Sequence, residues 1–514
     1  MRLNAYFGEF TEAKHELHEG LIFRPYTELV HQMTGGKKMI HRNLKMKVLP
    51  IALASAVALT GVSSFSLSAE AHGPGNNQGK APEHSQGKGK GGHKKDKVKN
   101  VIFLIGDGVG TSYTSAHRYL NDDPSTKMVE AMSFDPYLVG QQSTYPEDPA
   151  QNITDSASAA TAMSAGIKTY NNAIAVDNDE SEVKTVLEAA KEKGKATGLV
   201  ATSEITHATP ASFGAHDIAR KNMNAIADDY YDELINGEHK VDVLLGGGVD
   251  LFDRPDRNLT EEFQKDGYSY VTDRDELLSN DAEQVLGLFA PAGLPKLIDR
   301  DDSTPSLAEM TTSAIDRLSE DEDGFFLMVE GSQVDWAGHD NDIVAAMSEM
   351  EDYDRAFQEA IKFAEEDGNT LVVATADHST GGFSIGADGI YNWFAEPIKA
   401  AKRTPDFMAE QIVSGADAEA TLKEFIDLEL TTDEIAAVKK AAAGGKYTDV
   451  DNAIEKIFDK RSHTGWTTGG HTGEDVPVYA YGPASDKFAG QLDNTDHAKI
   501  IFDLLKAKVE INDK

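Results

Sequence analysis

The sequence predicts an α/β fold, a three-layer α/β/α sandwich around a central, mainly parallel β-sheet, with a helical insertion beside the functional site. Two observations predict it. Short, continuous apolar runs recur along the chain, each ending in Gly or a charged residue, as strands buried on both faces do. Between them lie longer stretches with helical periodicity, the alternation expected of a parallel sheet covered on both sides.

The first run is Val101 to Ile105, leading into Gly106-Asp107-Gly108. Thr197 to Ala201 follows, then Glu204 to Pro210. Val241 to Leu245 runs into Gly246-Gly247-Gly248, read as a turn because no Lys follows in phosphate-loop spacing. Phe325 to Val329 precedes Glu330-Gly331, Leu371 to Thr375 precedes Asp377-His378, and Val476 to Tyr481 closes the set. Helical patterns span Val183 to Lys193, Ser306 to Leu318 and Ile343 to Glu365. Residues 393–460 are Ala- and Lys-rich, helical in pattern and free of strand signals, and are read as an insertion or lid. In sheets of this kind ligands gather at the carboxyl ends of strands. Asp107, Glu330, Asp377 and His378 fall there.

The N-terminus reads differently. Lys37, Lys38, Arg42, Lys45 and Lys47 precede an apolar run from Val48 to Leu67, and Ala69-Glu70-Ala71 supplies a small-x-small cleavage pattern. That order describes a secretory signal over 39–71, with Met39 as the start and 1–38 as a mis-called upstream extension. Small polar residues inside the run argue against a stable membrane anchor. Residues 72–97, rich in Gly, Lys and His, form a flexible linker, and 98–514 form the folded domain. The chain is expected to be secreted, extracellular or in the cell envelope.

The 514 residues include 86 acidic against 49 basic side chains, a formal net charge of -37. Such a chain repels a phosphate backbone, so nucleic acid is not its specific partner. The acidity fits a solvated surface, with salt adaptation as the sharper alternative. No cysteine is present, which excludes disulfides and thiolate metal sites. Any metal must be held by His, Asp, Glu and other oxygen donors.

The chemistry concentrates in a few places. Asp335 and His339 lie four apart in a helical pattern and share one face, so together they can grip a cation. Asp107, Asp377, His378 and His471 are further candidate ligands at strand ends and loops. Nitrogen-plus-oxygen sets suit catalytic zinc, and all-oxygen sets suit magnesium. Ser156, in the small-residue run 154–162, is placed at a helix N-terminus, where free N–H groups favour an anion. Arg220 can fork two N–H bonds onto a phosphate. Each of these residues alone carries a structural reading just as well.

Read together, Asp155-Ser156-Ala157, His207-Ala208-Thr209-Pro210 with Arg220 downstream, Glu330-Gly331 before Asp335 and His339, Asp377-His378 and Gly470-His471-Thr472-Gly473 resemble the bacterial alkaline phosphatases in order and spacing. The resemblance covers roughly Lys99 to the C-terminus. It implies phosphate monoester hydrolysis through a phosphoserine on Ser156, and two zinc ions and one magnesium as cofactors. Asp335, His339 and His471 would hold the first zinc, and Asp107, Asp377 and His378 the second. Asp107, Thr209 and Glu330 would hold magnesium. Arg220 would clamp the phosphate, with Asp155, His207 and Trp336 close to it. Small phosphate monoesters would be the partners, and many members of the family are homodimers.

Enterobacterial members carry Asp, Lys and His where this chain has His207, Trp336 and Thr380, which bears on magnesium and phosphate affinity. A sulfatase would need Pro two positions after its nucleophile, and Ser156-Ala157-Ser158 lacks it. A phosphodiesterase of the same superfamily is the nearer rival, although Ser156 with Arg220 favours monoesters. A non-catalytic phosphate- or metal-binding protein is the remaining alternative.

Overall fold

The computed structural model describes residues 98–509. The proposed extension 1–38, signal 39–71 and linker 72–97 lie outside the described residues. Ten strands make one sheet: β1 (Asn100–Gly106), β2 (Leu138–Ser143), β3 (Ala196–Glu204), β4 (Val243–Gly247), β5 (Ser269–Val271), β6 (Val285–Leu288), β7 (Phe325–Gly331), β8 (Thr370–Thr375), β9 (Val476–Tyr481) and β10 (Gly490–Asp493). Their order across the sheet is β10-β2-β9-β8-β1-β7-β3-β4-β6-β5. Only β9 runs against the others.

Alternate residues of the central strands feed two separate cores. Ile102, Leu104, Leu327, Val329, Val372 and Ala374 face one side. Val101, Phe103, Ile105, Phe326, Met328, Leu371 and Val373 face the other. Burying each such side chain contributes roughly 1.5–3 kcal/mol, which requires helices on both faces. The first face is covered by Thr111–Leu120, Leu307–Leu318 and the long helix Ile343–Asp367, the second by Ser156–Ala165, Val186–Glu192, Ala208–Gly214 and Thr495–Leu505. The arrangement is a three-layer α/β/α sandwich. Four helices matter below, together with one from the insertion: α1 (Ser156–Ala165), α2 (Ala208–Gly214), α3 (Gln333–Asp340), α4 (Ile343–Asp367) and α5 (Tyr447–Ser462).

The central register aligns the strand ends. Ile105 pairs with Thr375 on one side and Glu330 on the other, and Glu330 pairs with Ala201. The chain therefore leaves β8, β1, β7 and β3 at one level. Residues 393–460 hold the helices Glu396–Lys399, Pro405–Val413, Ala418–Phe425 and Thr432–Ala443 and most of α5, and no named strand. Met408, Leu422, Val438, Ile454 and Phe458 join the core on the α4 side.

Several boundaries differ from the sequence reading. The helix expected from Val183 starts at Val186, because Thr185 and Glu188 form a capping box and Val183 N–H instead donates to the Ala175 carbonyl. The strand expected from Val241 begins at Val243 and absorbs Gly246 and Gly247 of the supposed turn. Gly247 is required there, since a Cβ would lie 1.9 Å from the Ala292 carbonyl oxygen. Only Gly248, at φ 101°, turns the chain. Val476 to Tyr481 is not the last strand, since β10 follows it.

Candidate active site

The site is built where β8, β1, β7 and β3 end. Asp107 follows β1, and its N–H donates to the Gly331 carbonyl at 3.1 Å. Gly108 then takes φ 74° and donates its N–H to Asp377 Oδ1 at 3.1 Å. A Cβ on Gly108 would come within 2.8 Å of the Asp335 Cα, so only glycine allows β1 and α3 to close on each other here. Glu330, the next-to-last residue of β7, is fully buried, and its Oε2 accepts from the Ser332 hydroxyl at 2.6 Å.

Ser156 opens α1 and is 1% exposed. Asp155 is its N-cap and does three things. It accepts from Ser158 N–H at 3.0 Å, from Asn172 N–H at 3.0 Å and from Arg220 Nη1 at 3.2 Å. Arg220 Nη2 donates to His207 Nε2 at 3.1 Å. The guanidinium is thereby aimed from two sides before any anion arrives.

Two carboxylates and a hydroxyl surround His378. Its Nε2 lies 3.1 Å from Asp377 Oδ2, 3.5 Å from Asp107 Oδ1 and 3.3 Å from Ser156 Oγ. Thr380 donates to Asp335 Oδ1 at 2.5 Å, and its oxygen lies 3.3 Å from His378 Nδ1, which leaves that nitrogen to donate. A second group forms beside it. His339 and His471 bring their Nε2 atoms to 3.0 Å, with Asp335 oxygens 3.4 Å and 3.6 Å away. Each Nδ1 donates to a carbonyl, of Gly469 at 2.7 Å and of Thr154 at 2.8 Å. A carbonyl only accepts, so all three rings carry their proton outward and present Nε2 to the cage.

Charge inside the cage is only partly compensated. Burial, then the charges of Asp377, Asp335 and Glu330, hold the Asp107 carboxyl well above the usual carboxylate range. Burial pushes Glu330 up to about 7, with Asp377 adding to it. Burial opposes the charge on Asp335 too, but His339, His471 and His378 outweigh it and hold the carboxyl well below its ordinary value. Both Asp107 oxygens, Glu330 Oε1, Asp377 Oδ2 and the Thr209 hydroxyl are buried without a hydrogen bond. Buried polar atoms are almost always paired, so such a set fits a partner of positive charge.

Three groups have the spacing to share an ion, with one donor atom per residue and all donors within 4.8 Å: Asp335, His339 and His471; Asp107, Asp377 and His378; and Asp107, His207 and Glu330. All three mix nitrogen and oxygen, as divalent transition metals prefer. Every residue expected from the sequence thus gathers in one region. Trp336 sits at its edge, its ring 5.7 Å from that of His207 and beneath the Lys296 ammonium at 5.3 Å. Sequence reasoning missed the Gly469 and Thr154 carbonyls and the Asn171 side chain that accepts from Asp155 N–H at 2.9 Å. Main-chain acceptors leave no residue-type signal.

Comparison with known proteins follows the same line. The sequence model of the alkaline phosphatase family matches residues 98–507. Alkaline phosphatase 3 of Bacillus subtilis (strain 168) is 67% identical over 471 residues, 91% of this chain and 99% of its own. The cold-active alkaline phosphatase of a psychrophilic Shewanella superposes with a TM-score of 0.75 at 41% identity, over 79% of this chain and 99% of its own. A histidine-to-aspartate mutant of the alkaline phosphatase from the Antarctic bacterium TAB5, with Mg bound in its M3 site, reaches 0.58 at 31% identity, over 81% of this chain and 100% of its own. A match that runs nearly end to end in both sequence and backbone leaves one assignment, that the chain belongs to the alkaline phosphatase family and hydrolyses phosphate monoesters.

Proposed function

We propose that hydrolysis proceeds through a covalent phosphoserine on Ser156. The observation that carries this reading is the Ser156 hydroxyl, buried at a helix N-terminus and 3.3 Å from His378 Nε2 inside a cage of bare carboxylates. We assign two zinc ions to the Asp335–His339–His471 and Asp107–Asp377–His378 groups, and magnesium to Asp107, Thr209 and Glu330. Bound there, the metals supply Lewis-acid stabilisation of the nucleophile and of the leaving oxygen.

This chain's own residues do the rest. Arg220, oriented by Asp155 and His207, holds two phosphate oxygens that are not transferred. Free N–H groups at the start of α1 favour the phosphoryl group beside Ser156. Ser156 Oγ attacks phosphorus in line, the bond to the alcohol oxygen breaks, and the alcohol leaves with a proton. Water then attacks the phosphoserine from the opposite side, freeing inorganic phosphate and restoring the hydroxyl. His207 lies one shell further out in this reading and reaches magnesium through water.

The decisive experiment is trapping. Acid quench during turnover of a labelled monoester, followed by peptide mass spectrometry, is expected to find phosphate on Ser156. Ser156→Ala is expected to lose activity by about 10³-fold or more while retaining its fold. Label on another residue, or none with full activity in the variant, rejects the mechanism.

The signal pattern over 39–71 supports export, and N-terminal sequencing of the native protein tests it. No helix among the described residues is long and apolar enough to cross a membrane. A homodimer is proposed on family grounds, with sedimentation as the test.

A further inference from the structure

A separate knot of carboxylates lies where α3 meets the insertion. Asp340 is the last residue of α3, directly after His339. Asp451 and Glu455 are four apart on α5 and share a face. One carboxylate oxygen from each of Asp340, Asp451 and Glu455 lies within 4.8 Å of the others. Asp451 is fully buried and Glu455 is 5% exposed. Glu455 Oε1 makes no hydrogen bond, although its carboxylate is directed into the knot. Nearby, Asp342 is 2% exposed, and its Oδ2 makes no hydrogen bond while its Oδ1 caps α4. Burial, then the charges of Asp451, Asp340, Asp342 and Asp406, push Glu455 up to about 12. Lys296 faces Asp406, Asp342 and Asp340 from one side, but its Nζ donates to the Gln333 carbonyl at 3.3 Å.

A carboxylate buried in such company either keeps a proton or meets a cation. The donors here are oxygen alone, with no imidazole, which disfavours zinc and selects a hard cation. Magnesium demands near-ideal octahedral geometry and short bonds. Calcium takes six to eight oxygens at about 2.3–2.6 Å in a flexible shell. Three carboxylates supplied by two separate helices, with waters completing the set, fit calcium's flexible shell better than a near-ideal octahedron.

We propose that Asp340, Asp451 and Glu455 bind a structural calcium ion that fastens the insertion to the helix carrying Asp335 and His339. The ion bridges α3 and α5, segments more than a hundred residues apart in sequence. It acts on stability first, because none of its ligands belongs to the phosphate site. This inference does not depend on the phosphoserine mechanism.

The test uses the full chain with zinc and magnesium supplied in excess and calcium removed. Calcium is then added during calorimetric titration and during thermal unfolding. The expected result is one calcium bound per chain and a Tm raised by roughly 3 °C or more at saturation. Glu455→Gln and Asp451→Asn are each expected to weaken calcium binding at least tenfold and to abolish the calcium-dependent rise in Tm. Glu455→Gln keeps the shape of a protonated Glu455, so it remains informative if Asp451→Asn fails to fold. No heat and no Tm shift in the parent chain overturns the proposal. So does calcium binding undiminished in Glu455→Gln, or a response to magnesium with none to calcium. Phosphoserine trapping on the same preparations reads the mechanism independently of this site.

Discussion

His339 and His471 meet ring nitrogen to ring nitrogen, Nε2 to Nε2 at 3.0 Å, while both Nδ1 atoms donate to backbone carbonyls. Two neutral rings so placed would oppose lone pairs. The protein without metal resolves this with a proton. Burial works against it on His339, but the Asp335 carboxylate prevails and lifts that ring to about 9, whereas burial and the neighbouring His378 charge depress His471 to about 3.

The pH dependence of the metal-free protein follows from these shifts. The stabilisation from the raised His339 is complete below its ordinary value of 6.5 and is lost as pH rises through about 9. Glu330, raised to about 7, likewise favours the folded state only while protonated, so ionising it as pH rises is destabilising. The depressed His471 acts in the opposite sense, losing stability as pH falls from 6.5 towards about 3. Glu330 has finished its change near pH 7, so between there and about 9 His339 dominates. Thermal unfolding in chelator is expected to give a Tm that falls steadily over this window, and zinc with magnesium is expected to flatten the curve. A chelated protein whose Tm holds level or climbs from pH 6.5 to 9 contradicts the pairing.

Asp155 predicts a split between stability and affinity. Its carboxylate caps α1 and anchors Arg220. Asp155→Ala removes the cap, at a cost of about 1 kcal/mol. It also frees the guanidinium, which then gives up orientation entropy to bind phosphate. KM and the inhibition constant of phosphate are expected to rise together, by about tenfold, in steady-state assays. A variant with lowered Tm and unchanged phosphate inhibition would show that Asp155 only caps the helix.

Much of this site was legible because strand ends announce themselves. Val101 to Ile105 ending at Asp107, and Phe325 to Val329 ending at Glu330, are apolar runs stopped by a charge, and the parallel register puts those stops level. Helix spacing alone paired Asp335 with His339. The edges were not legible. β2 is mostly half-exposed, and β5, β6 and β10 are four residues or fewer, too short for periodicity to register. The reversed direction of β9 leaves no local trace either. His471 sits in a two-residue strand paired with Ser379 and Thr380, a contact set by tertiary packing rather than local sequence.

Trp336 tests how tightly product is held. Its ring lies beside His207 and under the Lys296 ammonium, and Gly293 makes room for it, since a Cβ there would come within 2.5 Å. Trp336→Lys places a cation near the phosphate, and a hydrogen bond to a charged group is worth roughly 1.5–3 kcal/mol. Phosphate inhibition is expected to tighten by about tenfold or more, and turnover to slow if release is limiting. Weaker inhibition in the variant than in the parent contradicts this placement of the phosphate.

His207 lies beside the all-buried pocket of Asp107 and Glu330. It shares that pocket's spacing, yet its Nε2 accepts from Arg220, which commits that nitrogen to the phosphate clamp. Aspartate at this position would cap α2 more effectively, since His207 makes no capping hydrogen bond, and could still pair with Arg220. It would also add a negative charge to a site whose carboxylates already lack partners. His207→Asp is therefore expected to bind magnesium about tenfold more tightly, read as metal retained after dialysis against graded magnesium. The added charge would leave the metal-free variant less stable than the parent at pH 8, so magnesium should raise its Tm by more. Equal magnesium retention in the two proteins would place His207 outside the pocket's energetics and leave it a positioning residue for Arg220 alone.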